Sequence, residues 1–226
     1  MQQANMDRKL HAVFALIGVI WVLVPGIYLT EEADTCQDLL GTDNYLNFSK
    51  KLKILNNCTD NNMKSLDVEK RGELLGLLQN AADKLKSIHV KACQNVSPKN
   101  CSFPQIPANG GLICLTLERI RYCKPMCNKG YDFNFLRRSR LYEKCGEDTN
   151  YKWTTQYIGG NRLAVCSASS SSVSGIPSAY FPNRCLDVLY DYSQEKHLIS
   201  IFKKELKAKI HSDEFNNKTM CLLCGD

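Results

Sequence analysis

The chain has 226 residues, 12 of them cysteine, with 44% hydrophobic residues, 23% charged residues and a formal net charge of +6. That length allows one or two small domains, and the apolar fraction excludes wholesale disorder. The positive balance is mild and interspersed with acids, which excludes nucleic acid as the partner the chain is built for.

All cysteines follow residue 35 and their number is even. This is the usage of a chain folded in an oxidising compartment, secreted or held at the cell surface. The first feature along the chain agrees. Arg8-Lys9 precedes an apolar run, Ala12 to Val24, and Pro25-Gly26 stops it. Thirteen residues fit the core of a signal peptide removed as residues 1–26 and fall short of a membrane span. Extended to Leu29 the run reaches 18 residues, so a type II anchor over 12–29 is the alternative. Either topology puts the cysteines on the oxidising side. Asn47 and Asn217 head acceptor tripeptides for N-glycans, as do Asn57 and Asn100, where a central cysteine sets glycan addition against disulfide formation.

Residues 31–100 read as a helical, cysteine-containing N-terminal region. Cys36 and Cys58 bracket an Asn-rich stretch. Asp67 is placed to cap a helix running to about Val90, because Leu74, Leu78, Ala81, Leu85 and Ile88 recur at spacings of four, three, four and three. Leu75, Leu77 and Ala82 broaden the stripe. A partner-binding coiled coil is one reading. An amphipathic helix lying on its own domain and pinned through Cys93 is the expectation, since the repeat lasts two heptads and Gly72 and Gly76 weaken it.

From Cys101 to Cys166 six cysteines fall among turn signals: Pro104, Pro107, Asn109-Gly110-Gly111, Lys129-Gly130 and Gly159-Gly160-Asn161. Aromatic β-type runs fill the gaps, with Tyr122, Tyr131, Phe133, Phe135, Tyr151, Trp153 and Tyr157. This patterning predicts short strands joined by tight turns and stapled by disulfides, because so short a stretch buries too little apolar area to hold itself together. Cys114 and Cys123 lie within one inter-cysteine loop and are expected to bridge each other across a hairpin.

Residues Cys101-x-x-Pro104, Asn109-Gly110, Cys127-Asn-Lys-Gly130-Tyr131, Cys145, Trp153 and Cys166 resemble a sushi, or complement control protein, module over about 66 of the 226 residues. The resemblance implies a small β-sandwich with Cys101 paired to Cys145, Cys127 paired to Cys166, and the tryptophan packed near one disulfide. It also implies a non-catalytic recognition unit. Cys114 and Cys123 are additions to that frame.

Arg119, Arg121 and Lys124, with Arg137, Arg138 and Arg140, form a candidate basic face for a sulfated glycan or an acidic protein, set against scattered surface charge interleaved with Glu118 and Glu143. Residues 167–176 read as a flexible Ser-rich linker. Residues 177–226 read as a C-terminal helical region, with Leu198, Ile201, Phe202, Leu206 and Ile210 at helical spacing. That helix is expected to cover its own domain rather than lie on a membrane. Cys221-Leu-Leu-Cys224 admits a redox or a zinc reading, but no thioredoxin-like pattern and no second Cys-x-x-Cys accompanies it. Structural pairing with Cys185 and an earlier cysteine is expected; the pairing of Cys36, Cys58, Cys93, Cys185, Cys221 and Cys224 is otherwise open.

The fold class is therefore a small disulfide-rich β, sushi-like module flanked by N-terminal and C-terminal helical segments, α+β overall. The four histidines are scattered, and no catalytic motif, metal site or cofactor is indicated. The function expected is extracellular recognition or adhesion, with a protein or sulfated glycan as partner. A thiol–disulfide oxidoreductase using Cys221 and Cys224 and a small secreted signalling ligand are the alternatives.

Overall fold

A computed structural model describes residues 35–94, 98–210 and 220–225. The expected leader at 1–26, its anchor alternative at 12–29, and Asn217 lie outside the described residues. Among the described residues no helix is long and apolar enough to cross a membrane. The chain divides into two units, Met1–Leu74 and Leu75–Asp226.

The described part of the first unit is helical: α1 (Cys36–Leu40), α2 (Thr42–Asn56), α3 (Asp60–Lys64) and the start of α4 (Val68–Gln94). Local capping explains the starts. Thr35 Oγ1 accepts from Asp38 N at 3.1 Å, Thr59 Oγ1 from Asn62 N at 3.4 Å, and Asp67 Oδ1 from Lys70 N at 2.8 Å. The N–H of Lys70 holds the Asp67 carboxyl below its ordinary pKa. No described side chain of this unit is fully buried.

The second unit is a disulfide-rich α+β body. A four-stranded antiparallel sheet runs in the order β4 (Glu143–Cys145), β2 (Ile120–Cys127), β1 (Gly110–Leu117), β6 (Cys221–Cys224). A second antiparallel pair joins β3 (Tyr131–Phe133) to β5 (Cys166–Ala168). Two helices, α5 (Cys185–Tyr190) and α6 (Tyr192–Ile210), precede β6.

Strand β1 is buried on both faces, which is why its sequence is a near-continuous apolar run rather than an alternation. The period of two still sorts it. Ile113, Leu115 and Leu117 share a cluster with Tyr122, Met126, Val188, Phe202, Leu206 and Leu222. Leu112 and Cys114 enter another with Cys123, Cys145, Trp153, Leu163 and Leu223. Helix α6 thus covers the sheet through Phe202 and Leu206, each fully buried and each contributing about 1.5–3 kcal/mol. A smaller cluster of Cys127, Phe133, Ala164, Cys166 and Ala179 sits under the β3–β5 pair.

Three expectations about segment boundaries change. Residues 101–166 and 177–226 do not fold as separate bodies: β6 completes the sheet by pairing with β1, and both stretches share one core. The Ser-rich stretch 167–176 is not a free linker. It begins in β5, and Asp132 then accepts from the N–H groups of Val173 and Ser174, each at 3.1 Å. Nor is Asn109-Gly110-Gly111 simply a turn. Both glycines open β1, where a Cβ on Gly110 would meet Met126 O at 2.3 Å and one on Gly111 would meet Cys185 Sγ at 2.6 Å. The β1–β2 hairpin turns instead at Glu118-Arg119, with Glu118 at φ 52°.

Five disulfides brace this unit: Cys93–Cys221, Cys101–Cys145, Cys114–Cys123, Cys127–Cys166 and Cys185–Cys224. Cys114 and Cys123 face each other across the hairpin with Cα atoms 4.1 Å apart. The three bridges separated by 39 to 44 residues each contribute about 4 kcal/mol by loop-closure entropy. Such a set of bridges fits an oxidising, extracellular-type compartment.

Candidate recognition surface

Three loops are brought together beside the β3–β5 pair. The first follows β3 and carries Asn134, Phe135, Leu136, Arg137 and Arg138. Its backbone is tied down at both ends: Asn134 N donates to Val165 O at 3.1 Å, and Arg137 N donates to Ser174 O at 2.6 Å. The second, around 155–161, carries Tyr157 and Ile158. The Phe135 and Tyr157 rings pack at 5.1 Å between centroids, so these two loops are neighbours. The third is the Ser-rich stretch. Arg138 Nε donates to Val173 O at 3.0 Å.

Beneath these loops lies a polar anchor that positions them. Asp132 accepts from Ser174 Oγ at 2.8 Å and from the Tyr180 hydroxyl at 2.5 Å, and that hydroxyl accepts from Gly175 N at 2.7 Å. Burial pushes the Asp132 carboxyl up, but the hydrogen bonds from Tyr180, Ser174, Val173 N and Phe133 N outweigh it and hold its pKa below the ordinary value. Burial, and then the bond to Asp132, push the Tyr180 hydroxyl up to about 12. Burial likewise raises Tyr157. Among the residues the loops turn outward are four large apolar ones: Phe135, Leu136, Ile158 and Val173 are all exposed, Ile158 completely, beside polar Asn134, Arg138, Gln156 and Ser170 to Ser172.

The six cations expected to form one basic face do not do so. Arg121, Lys124 and Arg137 are buried. Arg121 and Lys124 point inward because strand β2 is covered along its length, Arg137 does so from the loop after β3, and each has found interior partners. Arg121 donates to Thr116 Oγ1 at 2.9 Å and reaches the sulfurs of Cys93 and Cys221 at 3.1 and 2.9 Å. Burial brings its pKa down to about 10. Lys124 Nζ pairs with Glu205 Oε2 at 2.7 Å and donates to Ser178 Oγ at 3.0 Å. Arg137 pairs with Glu143. Arg140, half-buried, joins the same carboxylate at 2.8 Å. Arg119 and Arg138 are exposed. With three of the six withdrawn into the interior, these residues do not form the single basic face expected of them.

The other expected sites are placed as follows. Asn47, on α2, and Asn57 and Asn100 are exposed. Cys101, the central residue of one acceptor tripeptide, is bridged to Cys145. Cys221 and Cys224 are not paired with each other: Cys221 closes on Cys93, and Cys224 on Cys185. This removes the adjacent dithiol that the oxidoreductase alternative needs. His89 sits 2.8 Å from Leu222 O and His197 is exposed, while His11 and His211 lie outside the described residues. Among the described residues no group of three or more His, Cys, Asp or Glu is placed to hold a metal.

Phe135, Leu136 and Ile158 were not singled out as a surface from the sequence. Phe135 and Tyr157 read there as strand aromatics. The available signal was position: Ile158 precedes Gly159-Gly160-Asn161, where an apolar residue has little chance of burial. No family model, no curated protein and no solved structure matches the chain.

Proposed function

We propose that the chain is a non-catalytic extracellular recognition protein whose sushi-like frame presents Phe135, Leu136, Tyr157 and Ile158 to a partner protein. The observation that carries this reading is the exposure of Phe135, Leu136 and Ile158 on loops held by backbone hydrogen bonds and by the Phe135–Tyr157 ring contact. A pinned loop loses little conformational entropy on binding, so its exposed apolar area converts efficiently into affinity. The sushi-like assignment is supported by the sequence elements that carry the resemblance. It is supported too by the crossed linkages Cys101–Cys145 and Cys127–Cys166, and by Trp153, which packs in the cluster containing Cys145 and donates to Ser102 O at 2.7 Å. A protein is favoured over a sulfated glycan because three of the six cations expected to face the glycan, Arg121, Lys124 and Arg137, are interior.

The test is binding of the purified, fluorescently labelled chain to intact cells and to immobilised heparin. Leu136→Asp and Ile158→Asp are expected to abolish saturable cell binding. Arg119→Glu and Arg138→Glu are expected to leave it within twofold. Loss of binding in the charge variants but not in the aspartate variants would replace the protein partner with an anionic glycan.

A further inference from the structure

Ten of the twelve cysteines close five bridges within the chain. The two left over, Cys36 and Cys58, both fall in the helical unit Met1–Leu74. They cannot close on each other while α2 stands between them. Its fifteen residues make a rod of about 22 Å at about 1.5 Å per residue. The five residues of α1 span about 7 Å. Even doubled back along α2, Cys36 stays on the order of 14 Å from Cys58, about twice the Cα span a disulfide tolerates.

A second observation lies on α4. Its stripe, expected to rest on its own domain, is left uncovered: Leu78 is 36% exposed, Leu85 66% and Ile88 64%. The helix is attached at its far end, where Cys93 bridges to Cys221 and His89 meets the Leu222 carbonyl. The spacing of Leu74, Leu78, Ala81, Leu85 and Ile88 is the a/d seam of a coiled coil, a surface complementary to its own copy. Leu75 and Leu77 flank it, so the N-terminal half of the seam brings no like charges together.

We propose that a second copy of this chain covers the α4 seam in parallel register and that Cys36 and Cys58 are its interchain bridges. Parallel pairing sets each cysteine opposite its own counterpart. Antiparallel pairing would set Cys58 near the far end of the partner's α4, where the cysteines are already closed. Cys58 precedes Val68 by ten residues, so seam pairing holds the two Cys58 thiols at high effective concentration. The oxidant is a low-molecular-weight disulfide of the secretory compartment. One Cys58 thiolate attacks it and releases one small thiol; the second copy's thiolate then displaces the other. Two protein thiols and one small disulfide become one protein disulfide and two small thiols, which take up the two protons. Cys36 closes in the same way.

The experiment uses the full chain secreted from cultured cells and quenched with iodoacetamide. Twice the chain mass is expected on non-reducing electrophoresis, collapsing to one copy with dithiothreitol. Cys36→Ser with Cys58→Ser should abolish the covalent pair yet leave a dimer by sedimentation equilibrium at micromolar concentration. Adding Leu78→Asp and Leu85→Asp to that variant should yield a monomer. Recovery of the Cys101–Cys145 peptide from each variant reports that the disulfide body is folded. A monomer with both cysteines alkylated, a Cys36–Cys58 bridge within one chain, a mass of three or more copies, or a quadruple variant indistinguishable from the double one would each overturn the proposal.

Discussion

Arg137 and Glu143 form an ion pair in the interior, with Nη1 2.9 Å from Oε1 and side-chain exposures of 4% and 0%. The pair decides how the recognition loop is held. Arg137 also donates to Leu163 O at 3.1 Å through Nη1 and to Ser174 O through its backbone. A residue that looks like surface charge in an Arg-rich segment is therefore a peg driven inward, which turns its neighbours Phe135 and Leu136 out. Its Nη2 is buried without a hydrogen-bond partner among the described residues.

Removing the acid strands that charge. Glu143→Ala is expected to cost about 3–5 kcal/mol in guanidinium unfolding, because it leaves Arg137 buried and uncompensated. Arg137→Met is expected to cost less, since Arg140 and Thr154 Oγ1 still hold the Glu143 carboxylate. Equal losses in the two variants would mean that Arg140 and Thr154 do not compensate the Glu143 carboxylate once Arg137 is gone.

The loop anchor has two pH limits. Tyr180 has a folded pKa of about 12 against an ordinary value of 10.0, so its contribution to stability is present below 10.0 and lost as the pH rises through about 12. Asp132 has a folded pKa below the ordinary 3.8, so its contribution is present above 3.8 and lost as the pH falls through the lowered value. Titration followed at the tyrosinate absorbance band should show several late hydroxyls, since burial also pushes Tyr122 up to about 12 and raises Tyr157. Asp132→Asn should bring one of them down, and only partly, because burial is the larger cause. A titration unchanged by that variant would break the link between Asp132 and Tyr180.

Gly111 is held to glycine by close approach. A Cβ there would lie 2.6 Å from both Cys185 Sγ and Leu223 O, so Gly111→Ala must shift a disulfide and a strand together. The expected cost is about 1–3 kcal/mol, the range for overpacked cores. Differential alkylation should reveal Cys185 and Cys224 thiols in the secreted variant; complete closure of that bridge at normal yield would count against the contact.

Helix α4 depends on the bridge at its end. Cys221→Ser should raise amide exchange over residues 75–94 severalfold and leave the β1–β2 hairpin protected, because the hairpin keeps its own bridge and both of its covered faces. Uniform loss of protection across both elements would show that Cys93–Cys221 braces the whole body rather than the helix.

Much of this architecture is written in local chemistry. Disulfide bonding is legible in the even cysteine count, the α4 helix in its four-three spacing and Asp67 cap, and the Cys114–Cys123 bridge in the closeness of the two cysteines within one inter-cysteine loop. Such features depend on residues close together in the chain, which interact in much the same way whatever the distant parts do. The direction in which Arg121, Lys124 and Arg137 point is of another kind. A lysine on a strand is solvated if one face of the sheet is open and interior if both are covered, and here α6 supplies the cover together with Glu205 as partner. The same dependence on distant chain made β6 a sheet strand rather than a redox motif, and left the α4 stripe bare. One-dimensional pattern determined where the long helices lie and that the cysteines are cross-linked; three-dimensional packing alone decided how β5 and β6 pair, which charges are buried and which apolar groups face out, because burial is a property of what arrives from elsewhere in the chain.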